Sequence, residues 1–139
     1  MSDKTVKEDP IKLHKTASAL MEEGKYTEAI DMFTKVADLY FKNQNYFGSA
    51  EMNYKAGECA FNLKNYQKAV EFFMKSSEIS FSKAFDRYGV SALECARDAQ
   101  KALGNTKEAE ELTTKINELN QKQKQSEVQS SDDSFSIFS

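Results

Sequence analysis

Leu63-Lys64-Asn65-Tyr66-Gln67-Lys68-Ala69-Val70-Glu71-Phe72-Phe73-Met74 decides the fold, because relatives of this stretch lie on both sides of it at one interval. Upstream the pattern reads Glu23-Gly24-Lys25-Tyr26-Thr27-Glu28-Ala29-Ile30, and downstream Leu103-Gly104-Asn105-Thr106-Lys107-Glu108-Ala109-Glu110. The alanine recurs at 29, 69 and 109, a period of 40 residues. An interval in this range, with two helical patterns and a short turn in each unit, marks a helical solenoid in which stacked neighbours share one core.

Working outward, helix one is expected over residues 10–22. Asp9 can cap it through its carboxylate, Pro10 suits the first helical position, and Gly24 can take the left-handed conformation that ends it. Leu13, Ala17, Leu20 and Met21 form its stripe. Helix two is expected over about 27–41, burying Ala29, Ile30, Phe33, Val36, Ala37 and Tyr40. Helix three follows over about 49–63, with Tyr46, Phe47 and Gly48 leading into it, and helix four over about 66–81, repeating helix two in Ala69, Val70, Phe73 and Ile79. Helix five, about 87–103, is striped by Ala92, Ala96, Ala99 and Leu103. Asn105 with Glu108 reads as a capping box for helix six, whose apolar face is Ala109, Leu112, Ile116 and Leu119.

Residues 1–9 are charged and aperiodic, and residues 120–139 are rich in Gln, Lys and Ser, so both segments are expected to be disordered tails around one domain at 10–119. The second tail nevertheless carries Phe135, Ile137 and Phe138 in an acidic setting, a candidate linear recognition motif. Ser130 with Asp133 three residues on fits an acid-directed phosphorylation site.

Composition excludes several functions. A net charge of -3 without a Lys/Arg-dense run argues against nucleic-acid binding, which needs clustered cations to neutralise phosphates. The chain has no apolar run of 18 or more residues, and its opening is too polar for a signal peptide, so no membrane insertion and a cytoplasmic location are expected. Cys59 and Cys95 lie in helical patterns without metal-site spacing and are expected to be buried free thiols. His14 is the only histidine, and the five glycines are scattered rather than gathered into a phosphate-cradling loop. Neither an enzyme nor a cofactor is expected.

Three helix hairpins with these residues resemble the tetratricopeptide repeat family over roughly residues 10–119, divided at about 10–45, 46–84 and 85–119. The small residue of helix A matches Ala17 and Gly57. The aromatic after the turn matches Tyr26 and Tyr66, the helix-B alanine matches Ala29, Ala69 and Ala109, and the large apolar residue four positions later matches Phe33 and Phe73. The third repeat departs, with Thr106 for the aromatic, Thr113 for the phenylalanine and Arg97 on the small slot, so its helix A could be shifted by one residue and the unit would serve as a cap. The long period is similar to the repeats of SNAP adaptors, kinesin light chains and spindle-orientation adaptors.

The resemblance implies an all-α, right-handed α-solenoid of six helices whose concave groove is lined by one face of each helix A. Transferred to this chain, that face comprises His14, Ser18, Met21, Glu51, Tyr54, Glu58, Phe61, Glu94, Asp98 and Lys101, with Ile11, Glu22, Asn62 and Ser91 beside them. Family members that clamp a terminal carboxylate use Lys, Asn and Arg where this chain has His14, Ser18, Lys55, Ser91 and Cys95. An acidic groove instead favours a partner protein or peptide bearing Lys or Arg. The implied function is a non-catalytic adaptor or cochaperone, monomeric or weakly oligomeric. The alternative is a regulatory or capping subunit, for example a SNAP-like trafficking adaptor, docking through its ends or convex face.

Overall fold

The computed structural model of the chain describes residues 8–137, and side chains as far as Val128. Phe138, and the side chains of Ser130, Phe135 and Ile137, lie outside the described residues. Among the described residues six helices follow one another: α1 (Pro10–Glu22), α2 (Tyr26–Lys42), α3 (Tyr46–Asn62), α4 (Tyr66–Ser82), α5 (Asp86–Ala102) and α6 (Thr106–Ile137). From Tyr26 onward a helix begins every 20 residues, at 26, 46, 66, 86 and 106. Turns inside a hairpin and turns between hairpins therefore have the same length.

They also have the same conformation. The middle residue of each turn is left-handed: Gly24 at φ 76°, Gln44 at 64°, Lys64 at 62°, Ala84 at 64° and Gly104 at 79°. The residue after it donates its N–H to a carbonyl five positions back at 2.8 or 2.9 Å, in the pairs Lys25 to Leu20, Asn45 to Tyr40, Asn65 to Ala60, Phe85 to Ser80 and Asn105 to Gln100. The left-handed residue itself donates three positions back, as Gly24 does to Met21 at 3.0 Å. These are the two bonds of a Schellman C-cap, and they occupy carbonyls that the end of the helix leaves without an intrahelical partner.

The next helix starts at once. Asn45 and Asn65 accept from the N–H of Gly48 at 2.9 Å and of Lys68 at 3.3 Å. That cap makes α3 begin at Tyr46, three residues before the expected start. Gly48 is helical and fits against Tyr40, whose Cδ2 would lie 2.8 Å from a Cβ placed there. At α6 the expected capping box is not made, because the Asn105 side-chain amide is turned back to Gln100 Oε1 at 2.8 Å. Asp9 does cap α1, accepting from Ile11 N at 3.0 Å. Glu8 pairs with Lys35 at 2.7 Å, so these two residues of the expected N-terminal tail are tied to the helices.

Consecutive helices pack on one another, the inner pairs more extensively than α1·α2 and α5·α6. Ala17, Phe33, Val36 and Met52 anchor a first core cluster and Ala69, Phe73 and Ala96 a second. Ile30 and Phe72 pack against both. A smaller third cluster is built on Val90, Leu93 and Ile116. Gly57 permits a close approach of α4, since a Cβ there would lie 2.7 Å from the Phe73 ring. In the third hairpin that pair is exchanged for Arg97 and Thr113. Helix α5 keeps its register, starting 40 residues after α3, so the one-residue shift does not occur.

Residues 120–137, expected to lack order, continue α6 as helix. Their Gln, Lys and Glu are good helix formers, and no Gly or Pro follows Gly104 to break the helix. Arg87 Nη2 meets Glu127 Oε1 at 3.0 Å and ties the extension to α5.

A non-glycine residue in the left-handed region costs about 1–2 kcal/mol, of which glycine's extra freedom in the unfolded chain offsets part. Ala84→Gly should therefore raise stability by about 0.5–1 kcal/mol in urea unfolding, and Gly24→Ala should lower it by a similar amount. A loss of stability in Ala84→Gly would contradict the shared turn conformation.

Candidate functional site

Helix α3 has two faces. Met52, Asn53, Ala56, Cys59 and Ala60 are buried, whereas Glu51, Tyr54, Lys55 and Glu58 are half-buried and Phe61 and Asn62 exposed, at helical spacings that put the second set on one side. Tyr54 organises that side. Its ring lies 5.3 Å from Phe73 and 5.4 Å from Tyr88, and its hydroxyl is 3.0 Å from Cys95 Sγ. Burial, chiefly, pushes the Tyr54 and Tyr88 hydroxyls well above the ordinary phenol range, so both remain neutral donors at physiological pH.

Beside Tyr54 a cleft of about 230 Å³ opens between α3 and α5. Glu58, Phe61 and Asn62 line it from α3, Cys95 and Asp98 from α5, and Phe73 of α4 lies at its back. Glu58 and Asp98 are 40 residues apart, so the constant period puts equivalent positions of two hairpins on one cleft. Burial raises the pKa of Glu58, and Lys55, whose ammonium is 3.9 Å away, opposes the shift. Asp98 is more exposed and takes a bond from Arg97 Nε at 3.2 Å. Asn62 donates to the Glu58 backbone carbonyl at 2.9 Å.

Cys95 is half-buried on the cleft rather than buried as expected, because α5 turns it toward Tyr54. Burial raises its pKa and the Tyr54 bond opposes the rise. Cys59 is buried, and its thiol is pushed up to about 11 chiefly by burial. Both thiols are accordingly protonated and weakly nucleophilic at neutral pH.

Three of the expected groove residues, Glu58, Phe61 and Asp98, thus come together. Tyr54 adjoins them, and Glu51 lies near enough to the Tyr40 and Tyr88 hydroxyls to raise the pKa of both. His14 and Ser18 line a separate depression along α1, and His14 Nδ1 is 3.0 Å from Tyr40 Oη. Met21 packs against the first core cluster, and Lys101 is exposed near the end of α5. Glu94 faces a slot on the far side of α5, lined also by Arg87, Val90, Thr114, Asn117 and Gln121. Asn62 stood on the transferred groove face, whereas Cys95 was expected to be buried and entered only as the residue at a clamp position of the resemblance. Phe73 was not legible as a lining residue, because as a helix-B core residue it carried no signal that its ring also backs the cleft. Among the described residues no group of three His, Cys, Asp or Glu could hold a metal ion, and no helix is long and apolar enough to cross a membrane.

Comparison with protein families finds two matches, each described as a tetratricopeptide repeat: residues 13–40, within α1 and α2, and residues 50–83, from α3 to the end of α4. Neither the curated proteins nor the solved structures compared with the chain yield a match.

The raised pKa of Glu58 has a definite sign for stability. The folded chain favours the protonated carboxyl, so ionised Glu58 lowers stability at pH 7, and this deficit is relieved as pH falls through the folded-state pKa toward the ordinary value of 4.5. Glu58→Gln should raise the thermal midpoint at pH 7, and the gain should vanish below pH 4.5. An unchanged or lower midpoint at pH 7 would show that the carboxylate is not held at a cost.

Proposed function

We propose, from the premise that the chain is a tetratricopeptide repeat protein, that it is a non-catalytic adaptor whose α1, α3 and α5 face holds a peptide or helix of a partner protein. Tetratricopeptide repeats generally mediate protein–protein interaction. The observation that carries the reading is the convergence of Glu58, Asp98 and the Phe61 and Phe73 side chains on one cleft. An apolar floor supplies contact area and the carboxylates select the partner's charge. Both act against an acidic peptide end and in favour of a basic partner. The residues at the carboxylate-clamp positions, His14, Ser18, Lys55, Ser91 and Cys95, include only one fixed cation, which speaks for an adaptor and against a cochaperone that grips a terminal carboxylate.

Docking through the C-terminal end is less well supported. The slot that a seventh helix would fill presents Arg87, Glu94, Thr114, Asn117 and Gln121. Forty residues earlier those positions are Phe47, Tyr54, Met74, Ser77 and Phe81. Replacing that largely apolar set with polar groups is what ends a stack of repeats, because the last face meets water. The protein acts as a monomer in this reading, and its free thiols suit the cytoplasm.

The test is the double substitution Glu58→Lys with Asp98→Lys, compared with wild type in a cross-linking pull-down read by mass spectrometry. At least one partner retained by wild type should be lost, with helical circular dichroism unchanged. Recovery of the full set of partners by the variant would remove the cleft from the function.

A further inference from the structure

The geometry points to the cleft between α3 and α5 as a subsite for a single arginine side chain of the partner, which rests on the adaptor reading and makes it specific. The walls favour a long, flat, partly apolar cation. Phe61 and Phe73 offer ring surface to a methylene stem or a guanidinium plane, and Cys95, kept a neutral thiol chiefly by burial, adds a polarisable wall without charge. The acceptors stand around this apolar space on two helices. Glu58 supplies a carboxylate from α3 and Asp98 one from α5. Asn62 commits its amide N–H to the Glu58 backbone carbonyl, which leaves its side-chain oxygen as a third acceptor.

None of the six residues lining the cleft is cationic. Lys55 is a weak competitor at 3.9 Å from Glu58, and Arg97 engages Asp98 through its Oδ1, leaving Oδ2 open to a guest. A guanidinium presents five N–H donors in a rigid plane and so can address acceptors on opposite walls at once, whereas an ammonium presents one point charge. It is also more weakly hydrated, so it surrenders less on entering a half-buried space. Burial raises the cost of ionised Glu58, and a guest cation relieves it; occupancy should therefore fall as pH is lowered through the Glu58 pKa.

The experiment uses the full isotope-labelled chain and three blocked tripeptides, Ac-Ala-X-Ala-amide, in which X is arginine, citrulline or norleucine. Citrulline keeps arginine's length and plane but removes the charge. The arginine peptide should give saturable amide shifts centred on residues 58–62 and 95–98. Citrulline and norleucine should bind about fivefold or more weakly, and Glu58→Gln with Asp98→Asn should weaken arginine by a similar factor, as expected for two partly exposed charge pairs. Equal binding of arginine and citrulline, or shifts centred on another surface, would overturn the subsite. If that happens while Glu58→Lys with Asp98→Lys still loses partners in the pull-down, the adaptor reading stands without it. If neither effect appears, both fail.

Discussion

Every connection in this protein depends on one backbone constraint: a left-handed residue closing a Schellman bond pair at 24, 44, 64, 84 and 104. The turn is short because the residue that completes one helix's C-cap is also the N-cap of the next. With no slack, each helix axis is set by the one before it, and the 20-residue interval becomes a spatial repeat. Glycine fills the position at both outer turns, whereas Gln44, Lys64 and Ala84 hold it in the middle, where the helices they join pack most extensively. Tertiary packing there offsets a local cost that a terminal hairpin could less easily bear.

The cleft follows from the same constraint. Glu58 and Asp98 are equivalent residues of successive hairpins, and only a constant period brings equivalent residues to face one space. Gly57 lets Phe73 lie close against α3, and the same ring reaches the back of the cleft. Core packing and site are thus joined at Phe73. A half-buried carboxylate over an aromatic floor is unfavourable for the isolated domain, which is a recurring property of surfaces kept for binding.

Much of this was legible in the sequence. The alanines at 29, 69 and 109 give the period, and caps such as Asp9 and Gly24 locate the first helix to the residue. What escaped has physical causes. The start of α3 was placed late because Gly48 reads as a turn residue, whereas it is small in order to admit Tyr40. Left-handed Gln44, Lys64 and Ala84 carry no compositional mark, so the identity of all five turns was invisible. In residues 120–137 low hydrophobicity reads as disorder, while helix propensity and the Arg87–Glu127 pair act in the other direction. At the candidate site, the groove face transferred from the resemblance includes Glu58, Phe61 and Asp98, which line one cleft. The resemblance could not separate them from His14 and Ser18, which lie in their own depression on α1, or from Glu94, which the turn of α5 directs to the terminal slot.

The central claim is that a partner is held on the α3 and α5 face of this evenly spaced stack. Hydrogen–deuterium exchange of the full chain, with and without the partner recovered by pull-down, tests it most directly. The account predicts new protection in peptides spanning residues 51–62 and 91–101, with exchange in α2 and the outer face of α6 unchanged. Protection confined to α6 and the terminal slot, or to the α2 and α4 surface, would contradict it.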